Sequence, residues 1–267
     1  MNIFHVNLPL SYAAREPRYI DLFIEHGLNP ELDIDLAAFE TLDMAWHRAT
    51  ADRLHQAGLC CAVHLPFQDL HPGSPDRLIR EATATRLAMA FDIAEIYAPT
   101  HLIGHAMYSN WLYNGLHDAW LDASTLTWNT LLALWPNHPP LYLENVYETA
   151  PESLAELVSR ITEGPCGVCF DIGHWHAFGN GVAKGDIDHW VDTLAPHLRH
   201  LHLHDNDGSS DQHLGPGAGS IPFDAVLAAL ARNDLHPSVT FEPHDEDALT
   251  LVLTFARNTP ALFAPAD

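Results

Sequence analysis

Short apolar runs alternate with longer stretches whose apolar residues recur at helical spacing, and the alternation repeats eight times along the chain. The short runs predict strands near 2–8, 29–35, 59–65, 100–106, 140–145, 166–172, 198–204 and 238–243. The longer stretches predict helices over 41–57 (stopped by Gly58), 76–97, 117–135, 151–162, 187–195, 222–232 and 246–258. Ser74-Pro75-Asp76, Ala150-Pro151-Glu152 and Ile221-Pro222-Phe223-Asp224 supply start signals, with proline pre-set for a first turn. Strand–helix alternation of this kind calls for parallel strands joined by right-handed crossovers. Eight units close a (β/α)8 barrel, and 267 residues suit a single domain over 1–267. A doubly wound open sheet is the alternative, but no Gly-x-Gly-x-x-Gly loop follows an early strand.

The most unusual pattern is His200-Leu-His-Leu-His204, which has the period of a strand. His200, His202 and His204 share one face; Leu201 and Leu203 share the other. Imidazoles make poor core material, because each buried ring needs partners for two nitrogens. An acidic, glycine-rich loop follows and carries Asp211 and His213. Catalytic groups in such barrels sit at the carboxyl ends of strands. Six of the predicted strands end in a residue able to hold a metal: His64, His105, Glu144, Asp171 with His174, His202, and Glu242. Leu141/Leu143, Val168/Phe170, Leu201/Leu203 and Val239/Phe241 flank the donors of the last four strands. That alternation turns the apolar face to the helices and Glu144, Asp171, His202 and Glu242 into the barrel mouth. One histidine at a strand end is commonly structural. So many donors on one rim would repel or lie unsatisfied without cations. The donors are oxygen and nitrogen with no thiolate, which suits Zn, Mn, Mg or Fe(II). His5, Asn7, His26, His71 and His176 have no such company and are expected at the surface or behind the site.

Charge narrows the range of partners. Thirty-five acidic residues face twelve basic ones, for a net charge of −23, and Lys184 is the only lysine. Nucleic-acid binding needs a basic footprint that is missing here, and Schiff-base chemistry has one lysine to draw on. Twenty histidines fit a metal site. Cys60, Cys61, Cys166 and Cys169 make no disulfide framework in a chain of this size. Cys166-x-x-Cys169 lies on a predicted strand, where residues three apart point to opposite faces, so plain buried cysteines are expected. No run of apolar residues is long enough for a membrane helix, and the N-terminus lacks a basic segment followed by a long apolar one. A cytoplasmic location is the default expectation, and the sequence carries no signal for oligomeric state.

From about residue 59 to 243 the chain resembles the xylose-isomerase-like TIM-barrel superfamily, which holds sugar isomerases and epimerases and the type-IV apurinic endonucleases. The motifs are Leu143-Glu144-Asn145, Asp171-Ile-Gly-His174, His202-Leu-His-Asp205 and Asp211-Gln-His213-Leu-Gly-Pro-Gly-Ala-Gly. The endonucleases bind a trinuclear zinc cluster through nine side chains. That resemblance implies the same set here: His64, His105, Glu144 as the bridging carboxylate, Asp171, His174, His202, Asp211, His213 and Glu242. The epimerases resemble this chain at Glu144, Asp171, His174, His202 and Glu242 and usually bind a single Mn or similar ion. His64, His105, Asp211 and His213 tilt the expectation to two or three zinc ions, with one Mn, Mg or Fe as the alternative. The acidic balance, and the lack of a basic, aromatic insertion after the first two strands, depart from the endonucleases and point to a small ligand.

Two enzymatic readings follow. The first is hydrolysis of a phosphoester of a small sugar- or nucleoside-like substrate at a multinuclear centre, with Glu242 orienting or deprotonating the attacking water. The alternative is isomerisation or epimerisation of a sugar or sugar phosphate, with Glu144 and Glu242 as the catalytic pair that takes and returns a proton. Asn145, His174 and Trp175 are the expected substrate contacts. Tyr108, Trp111 and Tyr113 lie near the mouth and are expected in local packing. A sugar-binding protein without catalysis is a third reading that both glutamates argue against.

Overall fold

The computed structural model describes residues 4–263. Its strands are β1 (Phe4–Pro9), β2 (Asn29–Asp33), β3 (Ala62–His64), β4 (Leu102–His105), β5 (Leu141–Glu144), β6 (Cys166–Asp171), β7 (Leu198–Leu203) and β8 (Ser238–Phe241). Each pairs in parallel with the next, and β8 pairs with β1, so the sheet closes as an eight-stranded barrel. Helices lie between the strands, as in a (β/α)8 barrel. Every predicted strand is present within a few residues; positions 2 and 3 of the first lie outside the described residues.

The helices are α1 (Leu10–Arg15), α2 (Arg18–His26), α3 (Leu36–Thr41), α4 (Met44–Gln56), α5 (Arg77–Ile96) and α6 (His117–Leu132), followed by α7 (Glu152–Arg160), α8 (Ile172–Ala177), α9 (Gly181–Lys184), α10 (Ile187–Leu194), α11 (Phe223–Arg232) and α12 (Glu246–Asn258). The helix predicted over 41–57 is α4, and a short helix that the pattern does not predict, α3, precedes it. Asp35 caps α3 by accepting from the Ala38 amide, and Asp43 caps α4 through the Trp46 amide. The sequence pattern predicts no helix between β1 and β2. There α2 buries Ile20 and Phe23 and stops at Gly27, whose φ of 63° is the left-handed cap that glycine adopts without strain.

Alternation along the strands divides the barrel wall chemically. Val6, Leu8, Leu32, Val63, Leu102, Leu141, Leu143, Val168, Phe170, Leu201, Leu203, Val239 and Phe241 belong to one continuous apolar core with Trp120, Trp128 and Trp190 of the helices. Gly104 is part of this outer fit: a β-carbon there would stand 2.7 Å from Cη2 of Trp128. The complementary positions, among them His5, Glu31, His64, His101, Glu144, Asp171, His200, His202 and Thr240, are also buried but polar. Such barrels usually fill their interiors with branched aliphatic residues. This one places imidazole and carboxylate there.

The four cysteines are free, as expected. Cys166 is half-buried and Cys169 fully buried, and burial pushes the Cys169 thiol well above its ordinary range. No helix among the described residues is long and apolar enough to cross a membrane.

Candidate active site at the barrel mouth

The ends of β3 to β8 bring the expected donors together. Glu144 is the hub. Its Oε2 lies 3.3 Å from His64 Nε2, 3.2 Å from His105 Nε2 and 3.4 Å from His202 Nδ1, and its Oε1 lies 3.0 Å from His174 Nδ1. His202 Nδ1 also faces Glu242 Oε1 at 3.2 Å and Asp171 Oδ2 at 3.9 Å. A third group forms where His174 Nε2 meets Asp211 Oδ2 at 3.3 Å, His213 Nε2 meets the same oxygen at 3.0 Å, and His204 Nε2 stands 3.5 Å from Asp211 Oδ1.

Five of these nine separations exceed the roughly 2.7–3.2 Å of an N–H···O hydrogen bond. They match the edge of a tetrahedron of N and O ligands around one ion, about 3.3 Å for bonds of about 2.0–2.1 Å. His202 Nδ1, Asp171 Oδ2, His204 Nε2 and Asp211 Oδ1 are buried without a hydrogen-bond partner among the described residues. Three donor sets therefore fit a divalent cation: His64, His105 and Glu144; His174, His204, Asp211 and His213; and His202 with the carboxylates around it.

The charges are mutually compensating. Burial alone would raise Glu144, but His202 and His105, helped by His174, hold it well below the usual carboxylate range. Burial would lower His64, yet Asp33 and Glu144 carry it up to about 10. His105 is lowered to about 4, mainly by burial. His202 and His174 rise well above the ordinary imidazole value, because neighbouring acidic groups outweigh burial. His213 rises to about 8 against burial, through Asp211 and Glu242. Glu242 moves up, burial being the largest cause.

Local chemistry explains the placement. In β7 and just beyond it, Leu201 and Leu203 join the core while His200, His202 and His204 are buried on the inner face, as the alternation requires. Asp171 ends β6 and caps α8 through the His174 amide at 2.6 Å, so the Asp-x-x-His spacing puts both side chains on one rim. Gly173 makes room for the His204 ring, which a β-carbon would strike. Asp205 folds the glycine-rich loop by accepting from the amides of Asn206, Gly217, Gly219 and Ile221. That carries Asp211 and His213 over the mouth. His213 sits at φ 50°, a strained value for a non-glycine residue, and stacks between His204 (4.0 Å) and His244 (3.9 Å).

Two of the expected substrate contacts are buried and hydrogen-bonded within the fold. Trp175 is 1% exposed and donates Nε1–H to Asp186 Oδ1 at 2.9 Å. One residue past His174 on a helix turns a side chain by about 100°, away from the mouth. Asn145 uses its amide to clamp β5 to β6, donating to the Asp171 carbonyl at 3.0 Å and accepting from the Asp171 amide at 2.9 Å. His174 does reach the donor cluster. Tyr108 and Tyr113 pack beside Trp120, as expected for local packing, whereas Trp111 is 89% exposed.

Sequence reasoning missed Glu31 and Asp33 of β2, His101 of the inner floor, and His204 and His244 beside His213. His5 was expected at the surface or behind the site; it is buried inside the barrel beside His101. Asp33 Oδ1 stands 3.6 Å from His64 Nδ1, behind the nitrogen that faces Glu144. Two grooves open beside the cluster. One, of 280 Å³, is lined in part by Asn7, Tyr12, Arg15 and His244, and the other, of 310 Å³, by Asp33, Phe39, Phe67 and Arg86.

Known proteins share this architecture. An uncharacterized protein of Methanocaldococcus jannaschii is 30% identical over 175 residues, which cover 63% of this chain and 59% of that protein, so the match spans about three fifths of the relative's length. The structure of a D-tagatose 3-epimerase-like protein is 25% identical, with a TM-score of 0.71 over 87% of this chain and 89% of its own. A Thermus thermophilus protein solved after soaking with ZnCl2 is 26% identical, with a TM-score of 0.71 over 97% of this chain and 99% of its own. A family model described as a xylose isomerase-like TIM barrel matches residues 19–261, which hold β2 to β8 and the donors of the rim, and the chain belongs to that family.

Proposed function

We propose that the chain is a divalent-metal-dependent enzyme that isomerises or epimerises a sugar or sugar phosphate, with Glu144 and Glu242 moving the proton. The observation that carries this reading is the approach of both carboxylates to one imidazole nitrogen. Glu144 on β5 and Glu242 just after β8 come within 3.4 and 3.2 Å of His202 Nδ1 from strands separated by β6 and β7. The similarity to a D-tagatose 3-epimerase-like structure supports it. Glu144, Asp171, His202 and Glu242 would hold the ion, which when bound would polarise a carbonyl and the hydroxyl beside it.

The chain's own groups supply the rest. One glutamate removes the hydrogen from the carbon next to the carbonyl, and the other delivers a proton to the opposite face, so the carbon is inverted with no net change in atoms. Both carboxylates are buried, Glu144 at 1% and Glu242 at 6% exposure, which keeps bulk water from competing for that proton. His174 lies beside both the hub and the loop and would hold a substrate hydroxyl.

A second reading, phosphoester hydrolysis, is favoured by one specific observation. His64 with His105, and His174 with His204, Asp211 and His213, add two donor sets beyond what a single ion uses. In that reading Glu242 orients the attacking water. A small substrate fits both readings, because a net charge of −23 opposes nucleic acid.

The test is a panel of ketoses, aldoses and their phosphates incubated in D2O with metal-replete protein. Deuterium at the inverted carbon supports proton transfer. Its absence across the panel, together with cleavage of phosphodiester probes, replaces it with hydrolysis. Glu242→Gln should cost about 10²–10⁴-fold in turnover while the fold is retained; near-normal turnover would remove Glu242 from the chemistry.

A further inference from the structure

Below the mouth, the barrel holds a polar layer that the proposed chemistry does not use. Glu31 of β2 is fully buried, as are His200, His202 and Thr240. Its Oε2 accepts from Thr240 Oγ1 at 2.6 Å, and Thr240 Oγ1 lies 2.9 Å from His200 Nε2. His200 is held in turn by Ser238 Oγ, 2.6 Å from its Nδ1, and His101 Nε2 stands 3.6 Å from Oε2. The carboxylate is thus fixed from one side. Its other oxygen, Oε1, faces His202 Nε2 at 3.1 Å, and both atoms are buried with no other polar group of the described residues hydrogen-bonded to them and with the N–H direction off the line between them.

His202 is therefore addressed at both ring nitrogens. Nδ1 looks up at Glu144, Glu242 and Asp171; Nε2 looks down at Glu31. A neutral imidazole carries one proton, and a ring that offers its Nδ1 lone pair to a cation must keep that proton on Nε2. A carboxylate under Nε2 selects that tautomer and makes the ring a stronger donor. We propose that Glu31 is a positioning residue. It holds His202 as the Nε2–H tautomer, aimed to bind a divalent cation at the mouth through Nδ1, and Thr240, His200 and His101 hold Glu31. This inference rests on the metal reading of the mouth.

The experiment compares zinc binding by wild type, Glu31→Gln and Thr240→Val, using competition with a chromophoric chelator and metal analysis. Glu31→Gln keeps the shape and removes the charge. It should bind the same number of ions with affinity weakened roughly 10–100-fold at the tightest site it disturbs. Thr240→Val should weaken binding in the same direction by less. Two-bond 1H–15N spectra of the metal-free protein, at a pH where the ring is neutral, add a readout that a packing role would not move: His202 carries its proton on Nε2 in wild type and gains a share of the Nδ1–H tautomer in Glu31→Gln. Unchanged affinity and unchanged tautomer in a folded Glu31→Gln protein overturn the proposal. If that variant does not fold, Thr240→Val decides by the same two measurements. A wild-type protein that takes up no zinc, manganese or iron overturns the metal reading itself, a different outcome from a wild type that binds beside a variant that binds equally well.

Discussion

His213→Ala separates a mouth with several ions from a mouth with one. Alanine keeps a β-carbon at φ 50°, so the backbone strain at this position is common to both proteins and cancels. What is lost is the imidazole wedged between His204 and His244, and with it the nitrogen 3.0 Å from Asp211. That leaves His174, His204 and Asp211 as the donors of its set. An ion supplied at a hundred times its Kd stabilises the folded chain by about 2.7 kcal/mol. At this chain length each kcal/mol moves Tm by roughly 2–4 °C, so one ion is worth about 5–11 °C. The assay is Tm with and without chelator, alongside elemental analysis of the same samples. With several ions at the mouth, the variant loses that share of the metal-dependent rise and one ion per chain. An unchanged rise with unchanged metal content would refute a cation site built on Asp211 and His213, and would turn both into substrate contacts.

Stability of the chelated protein should fall as the solution becomes alkaline. His213 and His64 titrate near 8 and 10 in the fold against 6.5 in an unfolded chain, so their contribution is complete below 6.5 and is lost as pH rises through those two values. Metal affinity should climb over the same window, because imidazole must shed its proton to bind; calorimetry in buffers of different ionisation enthalpy that shows no proton release would contradict this. Gly104→Ala should cost about 1–3 kcal/mol by driving a methyl group into Trp128, read as a lower urea midpoint. Trp175→Phe should cost about 1.5–3 kcal/mol through the lost bond to Asp186 and leave KM unchanged, whereas a large rise in KM would return Trp175 to the substrate site.

The barrel and much of its rim were legible because both depend on period-two alternation. Leu201 and Leu203 mark the outer face of β7, and the histidines between them have only the inner face left. The same signal is present in β2, where Glu31 and Asp33 flank the core residue Leu32. A search confined to strand ends passes over it, because Glu31 sits a layer deeper. His204 shares a face with His202 in the sequence, yet its link to Asp211 depends on a loop held by four amides on Asp205, which no local pattern encodes. Trp175 is misplaced by a strand carried on to residue 172, whereas the helix already starts at Ile172 and rotates each following side chain. The missed α2 has an amphipathic face and a terminal glycine in plain view.

The division of the barrel wall into an oily outside and an ionic inside gives the two faces different rules of change. At an outward position such as Leu143 or Phe170, a smaller side chain leaves a void, and the cost grows with the volume left empty. At an inward position such as His64, His202 or Glu31, volume matters less than charge arithmetic. Replacing one partner strands the other, while exchanging a complementary pair leaves the sum unchanged. Because the outer layer alone supplies the continuous apolar packing, the set of inner ligands is free to be redrawn, pair by pair, on an unaltered scaffold. One such barrel can thereby change its inner polar set without surrendering the contacts that keep it folded.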